Sequence, residues 1–244
     1  MKDNFSEQAA GYARFRPHYP RALYEAIFPL VPRFQRAWDC GTGNGQVALE
    51  LAGRFKEVEA TDLSEKQIRN ASAHEHISYS VQAAEEATFP RGYFDLITVA
   101  QAIHWFDFGR FYAAVNRVLR TDGLLAVFGY NLPEVEGRAG DAVRYFYREV
   151  VGPYWDPERR YIDEAYLTIP FPFEEIPFPP LEMAYHWNFH QLAGYLKTWS
   201  AVKHFERQQG YDPADHFMEE LKTAWGEAGE RIVRFPIIGR LGRL

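Results

Sequence analysis

Along positions 36–130, segments with the apolar pattern of a strand alternate with segments that have the apolar spacing of a helix. The apolar lead-in at Ala37 and Trp38 has the character of a buried strand, and Gln46–Ala52 has the spacing of a helix. A further helix is predicted over 21–31. Strands that alternate with helices in this way predict an α/β protein with a parallel sheet and helices on both faces.

Residues 131–215 break this alternation. Five prolines between positions 170 and 180 favour extended or irregular backbone. We therefore predict a single domain over 1–244, in which 131–215 is an insertion that caps the sheet and 1–20 is a leader rich in aromatic residues. Within and after the insertion, the pattern predicts helices over 138–151, 189–199 and 213–228 and a strand over 183–187.

The most informative stretch is 38–45, which reads Trp-Asp-Cys-Gly-Thr-Gly-Asn-Gly. A strand that ends in a glycine-rich turn and opens a helix lets the backbone pass close to a ligand. The spacing is not that of a dinucleotide site, because Gln46 stands where the third glycine belongs, and the lysine of a phosphate-binding loop is absent. Asp39 would oppose a pyrophosphate, so the pattern favours a ligand that carries positive charge.

This octet resembles the first motif of class I S-adenosylmethionine-dependent methyltransferases, and later stretches resemble the family's further motifs in the same order. They lie at 58–62, 82–90, 94–106 and 118–128, and 231–241 is similar to the last, antiparallel strand of the family sheet. The overall pattern is similar to the type 11 group, including trans-aconitate methyltransferases. The resemblance implies a doubly wound, mostly parallel, seven-stranded sheet of Rossmann-like form.

The resemblance also implies S-adenosylmethionine as the cofactor. Asp62 would hold the ribose hydroxyls with Leu63 against the adenine, although Asp62 could instead cap the next helix. Ala83 replaces the usual acid of the adenine loop, so backbone groups of Ala84 and Glu85 would serve there unless Glu85 only caps or faces solvent. The leader at 1–20 resembles one that folds over the cofactor in a subgroup of the family, with Tyr12 or Arg16 at the methionine carboxylate, unless its aromatic residues only hold the leader down. The full set of implied cofactor contacts is Tyr12, Arg16, Asp39, Gly41, Thr42, Gly43, Asp62, Leu63, Ala84, Glu85 and Gln101.

Gln101 and His104 are the candidates for catalysis, because they follow the fourth strand at the carboxyl edge of the sheet. His104, which we place at the start of the next helix, would orient the acceptor or act as a base that titrates near its ordinary pKa of about 6.5. A structural role is the alternative for each residue. Cys40 lacks an activating partner, and the histidines form no metal-binding pattern, so neither a nucleophilic cysteine nor a metal is expected.

Composition narrows the class of substrate. The chain has 244 residues, a net charge of −6, one cysteine and a mean hydropathy of −0.38. The acidic balance speaks against nucleic acid or a membrane as partner, and the single cysteine favours the cytoplasm. We expect a small-molecule acceptor, either a carboxylate or, from the many aromatic residues after position 140, an apolar or aromatic compound. Protein or RNA methylation, and cofactor binding without catalysis, are the alternatives; the oligomeric state is left open.

Overall fold

The computed structural model describes residues 17–227 and 229–244. Their strands form one sheet with helices on both faces. The strands are β1 (Arg36–Cys40), β2 (Glu57–Asp62), β3 (Ile77–Val81), β4 (Phe94–Ala100), β5 (Leu119–Tyr130), β6 (Glu134–Val135), β7 (Glu174–Ile176), β8 (Leu181–Trp187) and β9 (Arg231–Arg243). The α-helices are α1 (Arg21–Ile27), α2 (Gln46–Ala52), α3 (Glu65–Arg69), α4 (Phe108–Val118), α5 (Arg138–Tyr145), α6 (Arg160–Asp163), α7 (Phe189–Lys197), α8 (Ser200–Gln209) and α9 (Pro213–Trp225).

The first five strands form the parallel part of the sheet, in the order β3-β2-β1-β4-β5. Ala37 of β1, for example, pairs with Val58 of β2 and with Leu96 of β4. All five strands run in the same direction, so their carboxyl ends meet at one edge. The loops that follow β1, β2 and β4 therefore lie beside one another.

The antiparallel part is organised around β9. Ile237 of β9 pairs both with Tyr130 of β5 and with Leu181 of β8. β5 and β8 therefore flank β9 on opposite sides. The pairing of β9 with β6 and β7 shows that β6 continues the line of β5 and that β7 continues the line of β8. The nine described strands thus occupy seven positions, which confirms the mostly parallel, seven-stranded arrangement with an antiparallel last strand.

Side chains that alternate along β5 separate the core into two layers. Leu124, Ala126 and Phe128 belong to one apolar cluster, which also takes in residues of α1, α2, α5 and α7–α9. Leu125 and Val127 belong to the other cluster, which takes in residues of α4, α6 and the segment up to position 173. Because successive side chains of a strand point to opposite faces, this alternation buries both faces of the sheet and confirms the doubly wound architecture.

The predicted cap contributes more than a cover. β6, β7 and β8 lie within 131–215, and β8 forms an edge of the sheet. Aromatic residues of this segment pack mainly on one another; the ring centroids of Tyr154 and Phe205, for instance, lie 4.6 Å apart. The surplus of aromatic residues after position 140 is therefore largely accounted for by this core.

The described end of the leader is attached beside the glycine loop. The backbone N–H of His18 donates to Tyr185 Oη over 2.9 Å, and that hydroxyl donates to the His18 carbonyl oxygen over 2.8 Å. The ring of Tyr19 meets Phe128 edge-on at 4.9 Å. The Nε2 atoms of His18 and Gln46 lie 3.4 Å apart, so the leader reaches the start of α2.

Candidate active site

The loop between β1 and α2 has three glycines with left-handed backbone, at φ +72° for Gly41, +57° for Gly43 and +85° for Gly45. A Cβ on Gly41 would lie 2.7 Å from the Cβ of Ala102, and one on Gly45 would lie 2.2 Å from Tyr79 Oη. At Gly43 a Cβ would meet no described atom within 4 Å. Two glycines are therefore needed for packing, whereas Gly43 leaves open space over the loop.

Asp62 joins this loop to the end of β2. Its Oδ2 accepts the backbone N–H of Gly43 over 2.8 Å, and its Oδ1 accepts that of Ser64 over 2.8 Å. Ser64 in turn caps α3 by accepting the N–H of Gln67 over 3.4 Å. The alternative that Asp62 caps the next helix is therefore not what the structure shows, because Ser64 is the cap; the Asp62 carboxylate instead connects the two turns at the mouth of the glycine loop. Leu63 next to it is 39% exposed, so an apolar surface lies open at the same place.

Asp39 lies beneath the loop and is almost fully buried. It accepts hydrogen bonds from the hydroxyls of Thr42 and of Thr98, the latter over 2.8 Å. Burial raises its pKa to about 6, because removing the carboxylate from water disfavours the charged form. Cys40 beside it is also buried, which raises the pKa of its thiol and keeps it protonated at neutral pH.

The adenine-side loop is folded as a short 3-10 helix, Ala84–Glu86. Ala84 is buried. The Oε1 atom of Glu85 accepts the backbone N–H of Asp107 over 2.9 Å, directly before α4. Glu85 therefore has a capping contact, which was the alternative to its cofactor role; its backbone contact with adenine stays a prediction.

Gln101 continues the hydrogen bonding of the sheet beyond the end of β4. Its Nε2 donates to the carbonyl oxygen of Tyr130 over 3.2 Å, and its Oε1 accepts the N–H of Tyr130 over 2.9 Å. Its φ of +54° lies in the left-handed region, which is costly for a residue with a side chain. This side chain bridges β4 and β5, so any contact with a ligand would come in addition to a structural role.

His104 lies in the 3-10 helix Ile103–Trp105, whereas α4 begins only at Phe108, so the prediction that it starts that helix is wrong. The imidazole is 5% exposed, and its Nδ1 has no hydrogen-bond partner in the described structure. Burial lowers its pKa to about 3, with a smaller contribution from the positive charge of Arg159. The expectation of titration near the ordinary histidine pKa is therefore also wrong, because the ring is held neutral.

Tyr166 is a residue of this site that the sequence did not indicate. Its ring stacks on His104, its side chain is fully buried, and its hydroxyl has no partner among the described residues. The N–H groups of Tyr166 and Ala165 donate to the carbonyls of Tyr161 and Ile162 over 2.7 and 2.9 Å, the two bonds of a Schellman ending for α6. Ala165 takes the position where glycine is usual, so no glycine marks this turn in the sequence.

Gln101 and Tyr166 converge over the backbone of β5. A Cβ on Gly129 would lie 2.3 Å from Gln101 Oε1 and 2.7 Å from Tyr166 Oη. Three residues other than glycine have left-handed φ in the described part of the chain, and two of them are this pair, with Ala165 the third. Unfavourable backbone conformations concentrate at functional sites, where the surrounding structure maintains them. This convergence therefore marks the carboxyl end of β4 and β5 as the candidate site.

Arg159 lies beside this pair in the segment that the sequence assigned to the cap. The turn Pro157–Arg159 packs against the turn that carries His104. The Nε of Arg159 donates to Tyr147 Oη over 2.8 Å and lies 3.4 Å from Asp163 Oδ1. Its guanidinium lies 4.7 Å from the centre of the Trp155 ring, and its side chain is 18% exposed. The guanidinium is thus held in place by packing on the Trp155 ring and by the hydrogen bond that its Nε donates to Tyr147.

Two predicted contacts, Tyr12 and Arg16, lie outside the described residues. Within 17–227 and 229–244, no group of three or more histidine, cysteine or acidic side chains is close enough to hold a metal ion. The helices in the same part of the chain are too short or too polar to cross a membrane.

Comparison with known proteins agrees with this geometry. The sequence profile of the methyltransferase domain family matches residues 38–127, which span β1 to β5. A protein of Dictyostelium discoideum named as a methyltransferase is 33% identical over 243 residues, which cover 96% of this chain and 92% of that protein. A relative in Saccharomyces cerevisiae, named for S-adenosylmethionine-dependent methyl transfer, is 27% identical over 66% of this chain and 60% of its own length.

A solved structure extends the likeness to the whole fold. The structure described as a type II methyltransferase from Anaeromyxobacter dehalogenans superposes with a TM-score of 0.86 at 40% identity, over 94% of this chain and 98% of that one. None of these comparisons points specifically to trans-aconitate methyltransferases. Sequence, topology and glycine loop agree, and the chain belongs to the class I S-adenosylmethionine-dependent methyltransferases.

Proposed function

We propose that this enzyme methylates a small molecule that meets the cofactor at the carboxyl end of β4. The observation that carries the proposal is the open space over Gly43, next to the carboxylate of Asp62 that fixes the Gly43 amide. These residues fit S-adenosylmethionine. The bare backbone at Gly43 allows close approach, Asp62 presents acceptors suited to the ribose diol, and exposed Leu63 offers an apolar surface for adenine.

When bound, S-adenosylmethionine supplies a methyl group on a positively charged sulfur. The chain's own part is to align the acceptor and to exclude water, and alignment alone can contribute roughly 7–11 kcal/mol. Buried Asp39 provides negative charge beneath the loop, which favours a cationic ligand. His104, held neutral by burial, suits the orientation of an acceptor better than proton removal. A carboxylate acceptor would need no base, because its oxygen is already ionised at neutral pH.

A small molecule is favoured over a protein or RNA by two observations. The net charge of −6 opposes attraction to nucleic acid. Near Gln101, the polar side chains of His104 and Tyr166 are buried where the 157–166 segment packs against the turn after β4. Binding groups that are buried in this way suit a compact ligand better than a polymer.

The test combines binding and turnover. We expect S-adenosylhomocysteine to bind in calorimetry, and release of S-adenosylhomocysteine from S-adenosylmethionine to depend on an added compound from a small-molecule library. Bulk RNA and denatured protein serve as the comparison acceptors. Turnover with RNA or protein and not with small molecules would refute the proposed acceptor class, and lack of cofactor binding would refute the site.

A further inference from the structure

Three polar groups with unused hydrogen-bonding capacity lie in neighbouring turns where the 157–166 segment meets the end of β4. His104 Nδ1 and Tyr166 Oη are buried and have no partner among the described residues. Arg159 uses its Nε toward Tyr147 and Asp163, and no described residue accepts a hydrogen bond from its Nη atoms. The stacked rings of His104 and Tyr166 and the contact between the two turns bring the three together.

Buried groups of this kind are costly unless a ligand completes them. Nearly all buried polar atoms in folded proteins are hydrogen-bonded, so two orphaned atoms on stacked rings require an explanation. Tyr166 additionally keeps a left-handed φ of +62° to hold its ring in this place. Phenylalanine would fill the same volume without the orphaned hydroxyl. The arrangement is therefore better explained by a bound polar group than by packing.

The charges around the cluster define the class of that group. His104 and Tyr166 are neutral at neutral pH, since burial lowers the pKa of the first and raises that of the second. Arg159 is the charged residue that acts on both. A guanidinium presents parallel N–H donors in one plane, which match the two oxygens of a carboxylate. Asp163, with Oδ1 3.4 Å from the Nε atom, already offsets part of the charge of this single guanidinium, so a monoanionic carboxylate fits better than a phosphate.

We propose that Arg159, Tyr166 and His104 form the acceptor-binding site and anchor a carboxylate group of the acceptor. This assignment rests on the proposed function, and it deepens it by naming the group through which the acceptor is recognised. The guanidinium of Arg159 binds the carboxylate. The hydroxyl of Tyr166 donates a hydrogen bond to it, and one ring nitrogen of His104 forms a further hydrogen bond. The rings of Trp155 and Tyr147 pack against the guanidinium, with their centres 4.7 and 5.3 Å from its carbon atom.

The experiment compares acids with their neutral amides as probes. Benzoate, benzamide, glutarate and glutaramide are titrated by calorimetry into the protein saturated with S-adenosylhomocysteine. We expect the wild-type protein to bind the acids at least about tenfold more tightly than the amides, the effect of one charge-assisted hydrogen bond. Arg159→Gln should abolish that preference, and Tyr166→Phe should reduce it.

Arg160→Gln is the matched control. Arg160 is the adjacent arginine, its guanidinium also lies over a tyrosine ring, at 4.8 Å from that of Tyr161, and it is exposed. It should keep the preference for acids. Arg159→Lys guards against a folding defect, because it keeps the charge and the packed stem but lacks the fork; it should retain part of the preference and the melting temperature.

The outcomes separate this inference from the proposed function. If S-adenosylhomocysteine binds and the acids show no advantage over the amides, whether or not either binds, the inference is overturned while the cofactor site stands. Equal loss in Arg159→Gln and Arg160→Gln also overturns it. If S-adenosylhomocysteine itself does not bind, the proposed function fails first.

Discussion

The ring of Tyr166 stacks on the imidazole of His104 with centroids 6.3 Å apart and 22° between the planes. The two residues come from different parts of the fold. His104 follows β4, in the part of the chain where strands and helices alternate. Tyr166 lies just after α6, in the 131–215 segment. Their contact joins that segment to the sheet edge where β4 ends. Because His104 Nδ1 and Tyr166 Oη remain without partners in the described structure, the contact suits ligand binding better than stability.

Tyr166→Phe tests this separation of function from stability. Removing a buried hydroxyl without a partner should leave the free energy of unfolding unchanged or raise it by up to about 1 kcal/mol. Turnover with an acceptor from the small-molecule screen should nevertheless fall by roughly tenfold, since one hydrogen bond to the acceptor is lost. Urea unfolding and kcat/KM on the same preparations give the two values.

Tyr112→Phe is the control for that change. Tyr112 is also buried with an unpartnered hydroxyl, but it lies on α4 against Phe171 and Phe173. It should show the same effect on unfolding with no effect on turnover. Equal turnover of the two variants would remove Tyr166 from the acceptor site.

The parts of the fold that carry local signals were predictable from the sequence. The bounds of α2 agree with the predicted Gln46–Ala52, because glycines mark its start and helical spacing its length. The same holds for the strand over 183–187, which lies within β8. β9 was placed as an antiparallel strand through the family resemblance, and its pairing confirms this. By contrast, α8 was not predicted.

Only those residues of the site that lie in the loops after the strands were predictable from the sequence. Gly43 and Asp62 follow strands whose order was predictable, so their proximity follows from topology. Tyr166 and Arg159 could not be found in this way, because their contact with the turn at His104 depends on how a distant segment folds back. The expected pKa of His104 was wrong for the same reason, because that segment contributes to the burial of the imidazole and supplies the positive charge of Arg159.

We expect the pH dependence of turnover to show no inflection from His104 near pH 6.5. Its pKa is lowered to about 3, so the ring stays neutral across the range in which enzymes are usually assayed. His104→Gln, which retains a hydrogen-bonding group, should keep substantial activity, and His104→Ala should lose more. The profile of kcat/KM between about pH 5 and about pH 8 checks this. An inflection near 6.5 that disappears in His104→Gln would restore the role of base.

His104 also has a stability signature with a definite sign. A histidine whose pKa is lowered on folding contributes stability above its unfolded pKa and loses it as pH falls through the interval down to its folded pKa. From about pH 6.5 towards pH 3, the free energy of unfolding should fall by up to about 1.4 kcal/mol per pH unit through this residue. The difference between wild type and His104→Gln isolates that contribution.

Gly43→Val should abolish binding of S-adenosylhomocysteine by filling the open space over the loop. Valine is also strained at φ +57°, so some stability is lost as well, about 1–2 kcal/mol. Gly92→Val is matched closely: its φ is +58° and a Cβ there also meets no described atom within 4 Å. Gly92 precedes β4, at the opposite edge of the sheet. Calorimetry should show loss of binding in the first variant only; equal affinities would refute the assigned site.

Asp62→Ala should weaken cofactor binding by roughly 1.5–3 kcal/mol, the range for hydrogen bonds to a charged group. It should also lower stability, because the amides of Gly43 and Ser64 lose their acceptor. Ser64→Ala removes the cap of α3 and should cost about 1 kcal/mol of stability with no loss of affinity. If both variants lose stability alike and neither loses affinity for S-adenosylhomocysteine, Asp62 has only the turn-forming role.

The affinity for S-adenosylhomocysteine should rise with pH through the pKa of Asp39, about 6. The ligand carries a cationic amino group, which the ionised carboxylate beneath the loop attracts and the protonated one does not. Below pH 6 binding should weaken by up to about tenfold per pH unit, because a proton must then leave Asp39 as the ligand binds. Calorimetry at several pH values gives the slope. Asp39→Asn should remove it.

Without ligand, the same carboxyl should act on stability in the opposite direction to His104. An acid whose pKa is raised on folding contributes stability below its unfolded pKa and loses it as pH rises through its folded pKa. As pH rises from about 4 to about 6, the free energy of unfolding of the wild-type protein should fall by about 3 kcal/mol through this residue. Asp39→Asn should not show this fall. Urea unfolding of the two proteins at pH 4 and pH 7 measures the difference. If Asp39→Asn gains nothing relative to wild type at pH 7 and binds the ligand with an unchanged pH slope, Asp39 does not carry the charge beneath the loop, and attraction of the cationic ligand must come from another residue.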